Sequence, residues 1–483
     1  MEAGLSLFPT QIEDLSKFIQ FPRFLNRSEC GTGKTPVSCV YTEYEVNHNK
    51  NTVVWIQPSS LLNKNAKEIL KWCELTWDNL GLIEGTKKKK IDVCNDRNKK
   101  VFFITADSWA SEYGDLIRKN FNPKVLICDE PQMYYRGWES KRTQKFISTL
   151  KSDTKVKFMT ATPTPHGNLS AAYVYCHVLQ QDYYKHYKYF KQIHALYDDF
   201  GQIMGWENHD ILKKLLDYYS VTRTSKEIYG DQEKHIFRRL IEMLPEQRKI
   251  YNEFVGTGMA ELQESIIHDN NKEGQTTLRL RQVMQSPHEI RLPCEWNDDG
   301  KPISYEVVNV IPNMDKLTPK EEEILAYLQE GEPIAIFGVF ENELQHIHYV
   351  LTKSGFKGAL INGSVSGEKR AKIDADFQAG IYDYVVCSIK TAAVGFNWGF
   401  LNTIVFHSMD YGDDDFIQAC HRAIRGKRSR PLRVIILEYY DSIEPIILWK
   451  VHHKSKHTNK INPNLEVINF PNIDDSVVSS LFK

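Results

Sequence analysis

Short apolar runs recur along the chain, and stretches with helical spacing separate them. Thr52–Ile56, Val101–Ile104, Val125–Cys128 and Val156–Met159 form one group. Ile334–Phe337, Ala359–Ile361, Tyr384–Cys387, Thr403–Phe406 and Val434–Leu437 form a second. Each run is apolar at successive positions, so both of its faces call for burial. That pattern predicts parallel strands covered by helices on both sides. Leu61–Leu75 and Glu341–Ser354 carry apolar residues at helical spacing and complete βα units. The expected fold class is α/β, with one lobe over residues 1–170 and another over 311–450.

Residues 171–310 read differently. They are rich in Tyr, His, Lys, Leu and Glu, and Asn208–Tyr219 and Pro245–Phe254 have helical spacing. A mostly helical insertion between the lobes is expected. A strand-like patch at Ile303–Ile311 and a helix at Asp315–Gln329 follow it. Residues 451–483 form a C-terminal tail. The Lys87–Lys90 run and the basic, His-rich Lys450–Lys460 stretch read as solvated surface.

Composition narrows the class without naming a chemistry. Of the 483 residues, 41% are hydrophobic and 25% charged, as in ordinary globular chains. No apolar run approaches the ~18 residues that span a bilayer, so no membrane partner is expected. The first residues carry an acid and no basic region, unlike a secretory signal. Nine cysteines are scattered without a Cys-x-x-Cys pair. That argues for a reducing, intracellular setting and against structural zinc. The net charge of −1 is a cancellation. Residues 1–170 hold 25 basic and 19 acidic side chains, residues 171–330 hold 19 and 26, and residues 331–483 hold 17 and 17. A local basic surface on the lobes, with an acidic insertion, remains compatible with a polyanionic partner.

Candidate chemistry begins at Ser28-Glu29-Cys30-Gly31-Thr32-Gly33-Lys34-Thr35. Small residues let backbone N–H groups wrap a polyphosphate, Lys34 can reach its terminal phosphates, and the Thr35 hydroxyl can hold Mg²⁺. Alone, the triplet Gly33-Lys34-Thr35 equally suits a Gly-rich turn. Asp129 and Glu130 directly follow the run Val125–Cys128, which sets two carboxylates at the C-terminal edge of a sheet. Asp129 suits Mg²⁺, and Glu130 suits orienting or deprotonating a water. Gln418, Arg422 and Arg425 lie on a predicted helix, with the two arginines on one face. They suit charge neutralisation at a γ-phosphate, although a solvated basic face has the same pattern.

The order of these motifs resembles that of superfamily 2 helicases and translocases, nearest the Swi/Snf-type ATPases. Phe8-Pro9-Thr10-Gln11 resembles the adenine-reading Gln motif, and Ser28–Thr35 resembles motif I, with Gly31, Thr32 and Gly33 in its loop. Pro58–Leu61 resembles motif Ia, Ile104-Thr105 motif Ib, and Asp129–Gln132 the DExx box. Thr160–Pro163, with Asn168 behind it, resembles motif III. Gln247–Tyr251 and Leu278–Pro287 resemble landmarks of the Swi/Snf helical insertion. Ile334–Phe337 resembles motif IV, Ala393–Asn397 with Gly395 motif V, and Gln418–Arg425 motif VI. Departures are Ser28 at the first loop position, Pro131-Gln132 in the DExx box, and His421 where the family often has Gly.

The resemblance implies two RecA-like lobes with ATP and Mg²⁺ between them. It implies movement on DNA, whether single-stranded, duplex or branched, through contacts mainly to phosphate. Contact candidates are Ser59, Ser60, Thr105, Ser388, Thr391 and Asn397, each of which also suits a turn or helix cap. Thr160 and Thr162 would couple the γ-phosphate to the strand path. The expected activity is ATP-dependent DNA helicase or translocase, in replication, recombination or repair. The compact chain and its Lys/Asn/Ile-rich composition resemble phage or viral enzymes that remodel branched DNA. An RNA helicase and a non-motor nucleotide-binding scaffold are the alternatives, and Glu130, Arg422 and Arg425 weigh against the scaffold.

Overall fold

The computed structural model describes residues 5–164, 169–180, 182–231, 233–267, 274–297, 302–392, 396–424, 428–462 and 465–479. The chain forms two compact units. One comprises Met1–Asp231 with Ser455–Glu466, and the other Gln232–Lys454 with Val467–Lys483.

In chain order the strands are β1 Arg23–Asn26, β2 Val53–Ile56, β3 Leu80–Leu82, β4 Val101–Ile104, β5 Val125–Asp129, β6 Lys155–Met159, β7 Ala195–Tyr197, β8 Ile203–Trp206 and β9 Ser220–Val221. They continue as β10 Lys234–Ile241, β11 Ile290–Trp296, β12 Pro302–Val308, β13 Ile334–Gly338, β14 Gly358–Ile361, β15 Tyr384–Ser388, β16 Thr403–Phe406 and β17 Leu432–Tyr439. The first unit contains a seven-stranded sheet of order β3-β4-β2-β5-β6-β1-β9. The second contains a six-stranded sheet of order β10-β17-β16-β13-β15-β14. All pairings in both sheets are parallel. Two antiparallel pairs, β7 with β8 and β11 with β12, stand apart from them.

Alternation along the strands explains the continuous apolar runs. Val54, Ile56, Phe102, Ile104, Leu126 and Cys128 enter the core on one face of the first sheet. Val53, Trp55, Val101, Phe103, Val125 and Ile127 enter the core on the other. The second sheet does the same with Ala335, Phe337, Val385 and Cys387 against Ile334, Ile336, Tyr384 and Val386. Burying both faces requires helices on both sides, as the sequence predicts.

The 171–310 stretch is mainly helical but adds strands to both sheets. Helices Leu169–Leu179, Tyr187–His194 and His209–Tyr218 precede β9 in the first sheet. Helices Pro245–Ile267 and Gln275–Gln285 follow β10 in the second. The strand-like patch at Ile303–Ile311 is β12 with the residues after it. The Lys450–Lys460 stretch is less exposed than its composition suggests, because Lys450, His452, Ser455 and Thr458 are buried within helix Glu444–Ile461.

Candidate functional site

Strand register gathers the first unit's candidate residues at one sheet edge. Met159 of β6 pairs with Asn26 of β1 on one side and Asp129 of β5 on the other. Three loops therefore leave the C-terminal edge side by side: 27–33, the turn at Glu130, and the segment from Thr160. This is where open parallel sheets bind ligands.

The first loop closes on itself before helix Lys34–Asn47 begins. Gly31 and Gly33 adopt left-handed φ of 87° and 89°. A side chain at Gly33 would also displace Gln11, because a Cβ there would lie 2.0 Å from Gln11 Nε2. The buried Gln11 amide donates to Gly33 O at 3.4 Å, and its Oε1 accepts from Phe8 N at 2.8 Å. Lys34 Nζ donates to Ser28 O at 2.6 Å and Glu29 O at 2.9 Å. Thr32 Oγ1 donates to Glu29 O at 2.7 Å. Thr35 stands at the first turn of the helix, whose N–H groups and dipole favour an anion.

Asp129 is buried at the end of β5, where its Oδ2 accepts from Asn65 Nδ2 at 2.8 Å. Burial, then the charge of Glu130, pushes the Asp129 carboxyl up to about 7, against Asn65 and Lys34, which pull it down. Glu130 has φ of 52°, a left-handed conformation that costs a non-glycine residue about 1 kcal/mol or more. Its carboxylate accepts from Gln132 Nε2 at 2.6 Å. The atypical Gln132 of the DExx box thus fixes the orientation of the acid before it. A buried carboxylate short of positive charge, with a hydroxyl on the neighbouring helix turn, fits a hard divalent cation such as Mg²⁺.

Sequence reasoning missed the segment that straps this loop. Arg223 N donates to Ser28 Oγ at 3.0 Å, and Glu29 N donates to Arg223 O at 2.9 Å. Ser225 N donates to Glu29 Oε2 at 2.6 Å, and Tyr229 OH to Gly31 O at 2.9 Å. The Arg223 guanidinium then pairs with Asp14, at 2.9 and 3.1 Å, and with Glu13 at 2.7 Å on helix Pro9–Gln20. Ser28 replaces a motif glycine and supplies the hydroxyl that anchors the strap. No local pattern signals this, since nearly two hundred residues separate the partners.

Among the remaining candidates, Thr160 is buried, its N bonding Asn26 O at 3.0 Å and its Oγ1 accepting from Thr162 N at 3.0 Å. Ser59 and Ser60 open a 3₁₀ turn directly after β2, with Ser59 exposed. Thr105 caps helix Ala106–Trp109, its Oγ1 accepting from Ser108 N at 3.2 Å.

In the second unit, Ser388 ends β15 half-buried and Asn397 is exposed. Gln418 and Arg422 are both buried in helix Asp413–Ala423, unlike a solvated basic face. Gly395 and Arg425 lie outside the described residues, as do Asn168 and the side chain of Thr391.

The SNF2-related domain family matches residues 27–295, and the helicase conserved C-terminal domain matches residues 319–427. Chromodomain-helicase-DNA-binding protein 1-like of Danio rerio is 30% identical over 141 residues, which is 29% of this chain and 14% of that protein. The ISWI chromatin-remodeling complex ATPase ISW1 of Saccharomyces cerevisiae is 22% identical over 447 residues, 88% of this chain and 37% of that protein. The ATP-dependent DNA helicase DDM1 of Arabidopsis thaliana is 22% identical over 35% of this chain and 23% of its own length. The Sulfolobus solfataricus SWI2/SNF2 ATPase core in complex with dsDNA is 19% identical, with 96% of this chain and 98% of that one covered and a TM-score of 0.42. This chain therefore spans well under half the length of these curated relatives. With the SNF2-related match covering more than half of its residues, the chain belongs to the SNF2-related family.

Proposed function

We propose that this chain hydrolyses ATP and uses the energy to move along DNA. The observation that carries the reading is the shared register of Asn26, Met159 and Asp129, because it brings a phosphate loop, an acid pair and Thr160 to one edge. Family membership and relatives named as DNA-binding proteins or DNA helicases support it. The eight described cysteines, all buried, support action in a reducing, intracellular setting. No helix among the described residues is long and apolar enough to cross a membrane.

In this reading Gln11 reads the adenine and the loop amides from Gly31 to Gly33 cradle the phosphates. Lys34 exchanges the carbonyls of Ser28 and Glu29 for the terminal phosphates of ATP. Thr35 and Asp129 would hold Mg²⁺, which when bound neutralises phosphate charge. Glu130, oriented by Gln132, positions or deprotonates the attacking water. Arg422 and Arg425 from the second unit would offset charge in the transition state, a contribution typically worth ~10³–10⁵ in rate. Hydrolysis then depends on both units, which couples it to movement. Thr160 and Thr162 link the γ-phosphate to a DNA path formed by Ser59, Ser60, Thr105, Ser388, Thr391 and Asn397. Contacts of this kind go mainly to phosphate and weaken with salt.

Steady-state ATP hydrolysis with no nucleic acid, plain duplex, forked DNA, Holliday-type DNA and RNA tests the reading. DNA should stimulate turnover more than RNA does, and added salt should reduce the stimulation. Equal rates with and without every DNA would refute it.

A further inference from the structure

Three donor side chains meet in the second unit, away from the residues discussed above. His288 follows helix Gln275–Gln285, Glu321 lies in the first turn of helix Pro319–Gln329, and His346 lies within helix Glu341–Lys353. All three are buried, at 3%, 3% and 6% exposure. One donor atom from each lies within 4.8 Å of the other two.

The surrounding carbonyls define which nitrogens are available. His288 Nε2 is 2.8 Å from Lys316 O, and His346 Nε2 is 2.9 Å from Met314 O. A carbonyl oxygen only accepts, so each Nε2 carries the hydrogen, which leaves Nδ1 with its lone pair on a neutral ring. Those lone pairs also face acceptors. His346 Nδ1 is 2.6 Å from Glu321 Oε1, and His288 Nδ1 is 3.3 Å from Ile311 O. The contact between His346 Nδ1 and Glu321 needs a positive centre, which a single proton on His346 or a metal ion supplies. Protonating both rings would bury two cations, with centroids 3.7 Å apart, beside one carboxylate.

We propose that His288, Glu321 and His346 form a binding site for a divalent metal ion of the Zn²⁺ class. Two imidazoles and a carboxylate are a donor set suited to zinc with a fourth position left for water. The outer partners also fit. Ring N–H groups held by backbone carbonyls are the usual support of metal-binding histidines. Thr318 N fixes Glu321 Oε2 at 2.7 Å, which leaves Oε1 for the ion. A cavity of ≈ 210 Å³ adjoins the trio, with Asn342, Gln345 and Tyr349 in its wall, and gives room for a water ligand. Zinc–donor distances of ~2.0–2.2 Å set tetrahedral donors about 3.4 Å apart, so His346 Nδ1 and Glu321 Oε1, now at 2.6 Å, must open around the ion while the wider pairs, within 4.8 Å, close. The ion would tie the loop after helix Gln275–Gln285 to two helices of the second unit. The lack of Cys-x-x-Cys pairs argued against zinc, but this site needs no cysteine.

The site does not rest on the proposed function, and its test needs no ATP or DNA. Full-length protein is stripped with chelator and titrated with Co²⁺, whose visible absorption reports tetrahedral coordination. The wild type should take up on the order of one tightly bound equivalent per chain, displaced by Zn²⁺. His346→Ala and Glu321→Gln should each weaken uptake by roughly tenfold or more. Glu321→Gln retains an oxygen for Thr318 N, so folding, checked by circular dichroism, should survive. His235→Ala, at an exposed histidine, should titrate like the wild type. Zn²⁺ should raise the thermal midpoint of the wild type and not that of Glu321→Gln. A folded wild type with no tetrahedral spectrum, or a Glu321→Gln protein that binds as tightly, would overturn the proposal in favour of a proton shared between Glu321 and His346.

Discussion

In the first unit Lys34 at the sheet edge bonds to backbone; in the second, the buried Lys320 is matched by a buried carboxylate. Lys34 donates to the carbonyls of Ser28 and Glu29, neutral partners that a phosphate can replace. Lys320 is fully buried and held by Glu444 at 2.7 Å, His407 O at 2.9 Å and Gln285 at 3.3 Å. His407 bonds Glu343 at 2.6 Å, and Arg238 pairs with Glu438 at 2.6 Å. The units share a parallel-sheet architecture, but Lys34 and Lys320 use charge for different ends. An ion already matched inside the fold is committed to structure. Lys34, held by loop carbonyls at the sheet edge, stays available to a ligand.

Substitutions can break that contrast. The largest effect is expected on turnover. Lys34→Ala and Glu130→Gln should each lower ATP hydrolysis by at least roughly 100-fold with little change in thermal midpoint. A loss of folding instead would make these residues structural. Next, Lys320→Ala should cost ~3–5 kcal/mol of the second unit's stability, because it strands Glu444 in the core. Urea unfolding reads that loss, and nucleotide affinity measured under native conditions should not change. If nucleotide affinity fell together with stability, the contrast would be wrong.

Arg223→Ala should have a smaller effect, about 2 kcal/mol, by leaving buried Asp14 unpaired. It should also raise KM for ATP more than it lowers kcat, since it frees the Gln11 helix from the phosphate loop. The mildest test uses pH. Burial pushes the Lys157 ammonium down from its ordinary 10.5 to about 7. Between those values the unfolded chain holds the extra proton, so stability rises with pH across that window. Below pH 7 both states are protonated and the full cost of burying the charge is present. Lys157→Met should therefore raise the thermal midpoint most below pH 7 and least near pH 10. An equal rise at both would contradict the assignment.

Much of this architecture is legible in the sequence, for identifiable reasons. Central strands such as Val125–Asp129 and Ile334–Gly338 are buried on both faces, so their runs stand out. β10 does not, because its residues Lys234–Ile241 lie along an edge, half of them exposed, and mix charge with apolar groups. β3 and β9, at three and two residues, are too short to make a run. Lys34, Asp129 and Glu130 are readable because a sheet edge requires them at fixed offsets from strands. Asn65, Arg223 and Tyr229 are not, because they reach the site through tertiary contacts. The trio of His288, Glu321 and His346 is hidden for the same reason: packing brings its members together, with no short spacing to mark them.

The most direct test of the central claim is ATP-driven displacement of a third strand from an otherwise plain DNA duplex. The account predicts displacement by the wild type with ATP, none with a non-hydrolysable analogue, and none by Lys34→Ala. A wild type that hydrolyses ATP on the same duplex yet leaves the third strand in place would contradict it.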